Sequence, residues 1–323
     1  MPKNLILDLI KLSNLYKKFN RSSDIGVCVL CFHRISNELD YSYPSMRLAL
    51  FEKIIKYLQE HFEIIHIHEK DKSTSKPKLV ITFDDGYKDF ITNALPVLVK
   101  YNIKATMNVV VNSVLTGEPF WTQKLSAAIN QLCINHKRLN IKIEGKLFAS
   151  SVNKRNCEFL TLELFRELVN MLPEKRDEYL QIISSPEDLR YFPPMMDLVD
   201  LKTCLNNHIL IGSHSMSHSN LKVLDEKQLT HEIVDSKNIL EQELGITIDQ
   251  FAFPNGFSSD PSLEVSKNAG YKYLYTTSEE YFLPSPGNDV QLVPRIIIFG
   301  NRLADNILRI NLFQARLKKL FNL

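Results

Sequence analysis

Short apolar runs alternate with stretches of helical periodicity along most of this chain. Runs at 26–32, 62–67, 79–83, 105–111, 208–213, 250–254, 271–276 and 295–299 are rich in β-branched residues and have the length of buried strands. Apolar positions recur at helical spacing over 47–61, 89–101, 225–244 and 260–269. Strand and helix in alternation predict an α/β fold with a parallel sheet and crossover helices. Seven or eight such strands, with polar clusters at their C-terminal ends, fit an irregular (β/α) barrel.

The alternation stops between Asn112 and Leu205. Helical patterns at 122–136 and 160–182, a short hairpin around Ile141–Phe148, and loop signals at Ser184-Ser185-Pro186 and Phe192-Pro193-Pro194 occupy this stretch. It reads as a mostly helical insertion, 113–205, over the mouth of a barrel spanning 25–300. The two ends, 1–24 and 301–323, read as amphipathic helices. Leu5, Ile6, Leu9, Ile10, Leu12 and Leu15 share the first with Lys3, Lys11, Lys17, Lys18 and Arg21; Ile307, Ile310, Leu312, Phe313, Leu317, Leu320 and Phe321 share the second with Arg309, Arg316, Lys318 and Lys319. Each could pack on its own domain or rest on an anionic membrane surface. Asp8 and Lys11 interrupt any signal-peptide core, and no apolar run approaches the ~20 residues of a membrane span. The expected location is cytoplasmic, with peripheral contact at the inner membrane.

Two of the apolar runs end in polar motifs. Leu79-Val80-Ile81-Thr82-Phe83 leads into Asp84-Asp85-Gly86-Tyr87, and Ile209-Leu210-Ile211-Gly212-Ser213 leads into His214-Ser215-Met216-Ser217-His218. Adjacent carboxylates on a regular strand point to opposite faces, so both serve one site only if the chain turns, which Gly86 permits. A cation on one relieves their repulsion and leaves the other as a base. His214 and His218, four apart, share a face if the segment after Gly212 is a helical turn. One Asp and two His would hold a divalent metal and leave positions open for water and substrate. Zinc is the first choice; cobalt, nickel and iron suit the same donors. Alone, Asp-Asp-Gly is ordinary turn chemistry and His-x-x-x-His an ordinary surface feature. Together, at strand ends more than a hundred residues apart, they point to metal-assisted hydrolysis.

Thr82-Phe83-Asp84-Asp85-Gly86-Tyr87 with His214-Ser215-x-x-His218 resembles the polysaccharide deacetylase family, the family 4 carbohydrate esterases. Leu30-Cys31-Phe32-His33-Arg34-Ile35 resembles the strand-then-His segment that opens many members. Phe251-Ala252-Phe253-Pro254-Asn255-Gly256 resembles the third family motif, and Gly117-Glu118-Pro119-Phe120-Trp121 a segment found in members from surface-polysaccharide gene clusters. The resemblance spans about Gly26 to Phe299. It implies a distorted (β/α) barrel and hydrolysis of the N-acetyl group of an amino sugar in a surface polysaccharide or its precursor. By it, Asp84 is the catalytic base, Asp85, His214 and His218 are the metal ligands, and the backbone N–H of Asn255 stabilises the oxyanion. Members usually carry the general acid on a C-terminal histidine, but no histidine follows His231 here; His33 takes that place by analogy with permuted members. The third motif also lacks its arginine, a charge that Arg295 or Arg34 could supply. Tyr87, Trp121, Phe253, Pro254 and Arg295 are the candidate substrate contacts.

Composition narrows the alternatives. The chain has 323 residues, a size that one α/β barrel accommodates, and 44% are hydrophobic, ample for a core. A net charge of +2, with no basic run interleaved with aromatics, argues against a nucleic-acid partner. Cys28 and Cys31 lie inside an apolar run and read as buried strand thiols. Removal of a formyl group from a lipid-linked amino sugar, and an inactive carbohydrate-binding protein on the same fold, remain alternatives to deacetylation.

Overall fold

The computed structural model describes residues 26–184 and 192–312. The helix expected over 1–24 lies outside them, as does 313–323 of the C-terminal one. The strands are β1 (Val27–Phe32), β2 (Glu63–Ile64), β3 (Lys78–Phe83), β4 (Ala105–Val109), β5 (Arg138–Ile143), β6 (Lys146–Ser151), β7 (Ile209–Ser213), β8 (Gln250–Ala252), β9 (Tyr273–Tyr275), β10 (Gln291–Val293) and β11 (Ile296–Ile297). All but β5 and β6 belong to one parallel sheet ordered β10-β9-β8-β7-β4-β3-β1-β11, with β2 on the start of β3.

The ends of that order, β10 and β11, are neighbours in the chain, separated only by Pro294 and Arg295. β10 pairs with β9, and β11 pairs with β1. The chain thus passes from one edge of the curled sheet to the other within two residues, and this segment is the seam of an irregular barrel. Pro294, without an N–H, marks where one ladder stops and the next begins.

Strand periodicity sorts the side chains into two layers. On β1, Cys28, Leu30 and Phe32 join the outer core under the helices, whereas Val27 and Val29 belong to the barrel interior. On β3, Leu79, Ile81 and Phe83 are outward and Val80 inward. The same parity continues past these strands and turns Cys31, Thr82, Asp84 and Arg295 inward. All four are buried, so the upper part of the barrel is filled with polar groups where its lower part is apolar.

The insertion between β4 and β7 has its own hydrophobic cluster, built on the helices Trp121–Ile134, Cys157–Leu168 and Pro173–Ile183 and the antiparallel hairpin β5–β6. Periodicity predicts one helix over 160–182. Two form instead, because Pro173 occupies the first turn of the second and cannot continue the first. The expected strand 105–111 stops at Val109, since Val111 opens a short helix to Thr116. The run 62–67 forms only the two-residue β2. At the C-terminal side, the helix Leu303–Ile310 buries Ile307 and Ile310 and packs on the helix Leu48–His61, so this part of the amphipathic end covers its own domain. No helix among the described residues is long and apolar enough to cross a membrane.

Candidate active site

The aspartate motif turns sharply out of β3. Asp84 N–H still donates to Phe32 O (3.0 Å), continuing the β1–β3 ladder. Asp85 (φ 79°) and Gly86 (φ 83°) then both adopt left-handed backbone. Gly86 accepts this at no steric cost, but Asp85 carries strain of the kind that persists only where its surroundings enforce it. The turn brings both carboxylates into the barrel mouth, where each is almost fully buried.

The histidine motif is not the helical turn that its spacing predicts. Residues 214–218 form a loop in which Ser215 (φ 68°) and His218 (φ 61°) are left-handed. Hydroxyls supply the hydrogen bonds that a helix would have made: Ser213 Oγ accepts from Ser215 N–H (3.2 Å), and Ser215 Oγ from His218 N–H (3.0 Å). Ser217 N–H and hydroxyl both donate to the buried Glu232 carboxylate. The rings still meet, with centroids 4.9 Å apart.

Donor atoms of Asp85, His214 and His218 lie within 4.8 Å of one another. Nε2 of each histidine is 3.5 Å from Asp85 Oδ1, an oxygen that is buried and has no hydrogen-bond partner. His214 Nδ1–H donates to Ala252 O at 2.7 Å, which leaves the Nε2 lone pair facing Asp85. Burial pushes the His218 pKa down to about 3, keeping that imidazole neutral, the form in which it can ligate. A buried, orphaned carboxylate oxygen between two inward imidazole nitrogens fits a divalent cation.

Asp84 is held differently. Arg295 grips it with two parallel bonds, Nη1 to Oδ1 (2.7 Å) and Nη2 to Oδ2 (2.6 Å). Asn108 Nδ2 donates to Oδ1 (2.8 Å), and the Cys31 thiol to Oδ2 (3.3 Å). Burial alone would raise its pKa, but the Arg295 guanidinium that grips it outweighs burial and holds the carboxyl well below the usual range. The Arg295 side chain is itself anchored on Thr82 Oγ1 and Thr276 O. Arg34, the other candidate for this charge, is committed to Asp40 and Asp89 instead.

These groups form the floor of a cleft of about 680 Å³. His33 is half-buried on its wall, with a ring nitrogen within 4.8 Å of the Asp84 carboxylate and the Cys31 sulfur. Asn255 lines it too, in left-handed backbone (φ 57°, ψ 11°), with its Nδ2 buried and unpartnered. Tyr87 and Phe253 face the cleft, and Pro254 is buried behind it. Two expected substrate contacts are corrected. Trp121 is only 3% exposed, stacks on Phe165 at 5.5 Å and has Arg176 over its ring. It offers a sugar no face; its indole N–H instead donates to His218 O at 2.8 Å and props up the histidine loop. Arg295, 1% exposed, is consumed by Asp84. Replacing Trp121 by Phe is therefore expected to weaken metal affinity about tenfold while leaving glycan affinity unchanged, as competition with a chelator and glycan titration would measure.

Cys31, Thr82 and Asn108 were not singled out as site residues from the sequence. The signal was available for Asn108, an amide side chain inside an otherwise strand-forming apolar run. For Cys31 it was the strand parity that puts it on the same face as His33. All five cysteines are buried.

The sequence profile of the polysaccharide deacetylase family matches residues 71–130 and 196–274, the stretches that carry the aspartate and histidine motifs. Over these residues the chain is similar to that family. YxkH of Bacillus subtilis, a protein named for the same family, is 33% identical over 93 residues; the match covers 27% of this chain and 32% of YxkH. The fold agrees over a longer span. The Streptococcus pyogenes deacetylase PplD, solved with acetate, superposes with a TM-score of 0.59 at 18% identity, covering 88% of this chain and 98% of PplD. IcaB from Ammonifex degensii superposes with a TM-score of 0.57 at 16% identity, covering 88% and 97%. The distorted barrel of the family is thus the fold of this chain.

Proposed function

We propose that the protein hydrolyses the N-acetyl group of an amino sugar in a polysaccharide, with a divalent metal held by Asp85, His214 and His218. The observation that carries this reading is the orphaned, buried Asp85 Oδ1 between two imidazole Nε2 atoms at 3.5 Å, beside a second carboxylate whose two oxygens are held by Arg295. The family match over the two motif-bearing stretches, a relative named as a deacetylase and a neighbour solved with acetate support the same chemistry. A cation in this set supplies positive charge that acidifies water and polarises an amide carbonyl.

The chain's own groups divide the proton traffic. Asp84, ionised and fixed in direction by Arg295, accepts a proton from the attacking water. The water oxygen adds to the carbonyl carbon, and the Asn255 backbone N–H lies on the loop assigned to the developing oxyanion. His33 then gives a proton to the sugar nitrogen, the C–N bond breaks, and acetic acid and the free amine leave, the acid ionising to acetate in solution. Without that proton the amide nitrogen is a very poor leaving group, so the acid matters as much as the base.

Metal analysis of the natively purified protein tests the reading. About one divalent ion per chain is expected, and its loss in both Asp85→Ala and His214→Ala. Chelation should abolish acetate release from N-acetylated glycans, and zinc or cobalt should restore it. A protein that takes up no metal when these ions are offered would overturn the proposal.

A further inference from the structure

The cleft continues beyond the reacting groups to the loop after β11, where Phe299, Gly300 and Asn301 line it. Phe299 is 56% exposed. Single exposed apolar side chains are normal on a protein surface, and exposure alone would mean nothing. This ring, however, is held. The Arg309 guanidinium lies 3.9 Å from its centroid, and Arg309 Nη1 donates to Glu279 Oε1 at 2.8 Å. Arg309 comes from the last turn of the helix Leu303–Ile310, which packs on the body of the domain. One face of the ring is thus backed by a stacked, ion-paired guanidinium, while the side chain as a whole remains open and borders the cleft.

A fixed aromatic ring beside polar groups is what the apolar C–H face of a pyranose selects, because the ring offers area at little entropic cost. The cleft, at about 680 Å³, also exceeds what a single N-acetylated sugar over the metal ligands would fill. We infer that Phe299, braced by Arg309 and Glu279, is the platform of an outer subsite that stacks on a second sugar of the chain being processed. This rests on the N-deacetylase reading and deepens it: the substrate engages the cleft as an oligomer, and affinity grows with chain length through Phe299.

Binding is measured by calorimetry with N-acetylglucosamine and with its β-1,4- and β-1,6-linked pentasaccharides, on the metal-loaded protein. Phe299→Ala is expected to weaken binding of at least one pentasaccharide about tenfold, and Phe299→Tyr to preserve it, with the monosaccharide unaffected by either. Equal pentasaccharide affinity in wild type and Phe299→Ala, equal losses for monosaccharide and pentasaccharide, or no pentasaccharide binding to the wild type would overturn the inference. Acetate release is followed in the same samples. Phe299-dependent binding without acetate release would sustain the platform and remove the deacetylase reading. Acetate release from the pentasaccharides that is indifferent to Phe299 would do the reverse.

Discussion

Asp84→Asn should lower turnover by a factor on the order of 10²–10⁴ while leaving uptake of the proposed divalent metal unchanged. The amide keeps the size of the carboxylate and can still accept from one arm of Arg295, but it cannot take a proton from water. Asp85, His214 and His218 are untouched, so the metal content should stay near one per chain. The measurement is acetate release alongside metal analysis of the same preparation. A variant that loses metal as well as turnover would show that Asp84 belongs to the ligand set. Unchanged turnover would remove Asp84 as the base. The hydrogen bonding gives the experiment a particular edge in this chain. Arg295, Asn108 and Cys31 together donate four hydrogen bonds to Asp84, which fixes its direction but makes it a weak base. Its contribution must then come from position more than from proton affinity, and a substitution that preserves shape isolates that contribution.

How much of this was legible in the sequence divides along the distance between interacting residues. The strands that bear the motifs were readable, because β-branched runs of five or six residues announce buried parallel strands. The convergence of Asp85 with His214 and His218 followed from placing both motifs at strand ends. The local path of the histidine loop was not readable from its four-residue spacing, which equally describes a helix. What decides it is Ser213 and Ser215, whose hydroxyls compete with helical hydrogen bonding. Trp121 reads equally as a sugar platform or as part of the insertion's core, because an aromatic next to a Gly-Glu-Pro turn looks the same whether it faces a sugar or the underside of a loop. Only Phe165 and Arg176, both more than forty residues away along the chain, show which side is filled. β10 was missed since three residues with an exposed centre carry no usable period. The arginine absent from the third motif illustrates the same limit in reverse. Its partner was nameable only as one of two, Arg34 or Arg295. The choice depends on the seam crossing, a tertiary event that no local pattern encodes.

That seam makes Arg295 the residue whose loss should cost the fold most. Arg295→Met removes both charged bonds to Asp84 and leaves a carboxylate buried among Cys31, Thr82 and Asn108 with only neutral donors. Breaking one side of a buried pair typically costs about 3–5 kcal/mol, because the remaining charge keeps its desolvation penalty and loses its compensation. Urea unfolding would measure that loss, provided each variant unfolds in a single transition. The double variant Asp84→Asn/Arg295→Met should recover much of the loss, since it removes the stranded charge together with its partner. If instead Arg295→Met and the double variant are equally unstable, the arginine acts through its packing and its bonds to Thr82 and Thr276, and the ion pair contributes little. The site of weakening separates the two accounts further. Arg295 lies between β10 and β11, so a loss that acts through the seam should raise amide exchange first in β1 and β9, the strands these edges pair with. A loss that acts only through Asp84 should loosen the turn at Asp85 and Gly86 and leave the seam protected. The first outcome would mean that the same side chain orients the proposed base and closes the barrel, which ties the geometry of the reacting carboxylate to the stability of the whole sheet.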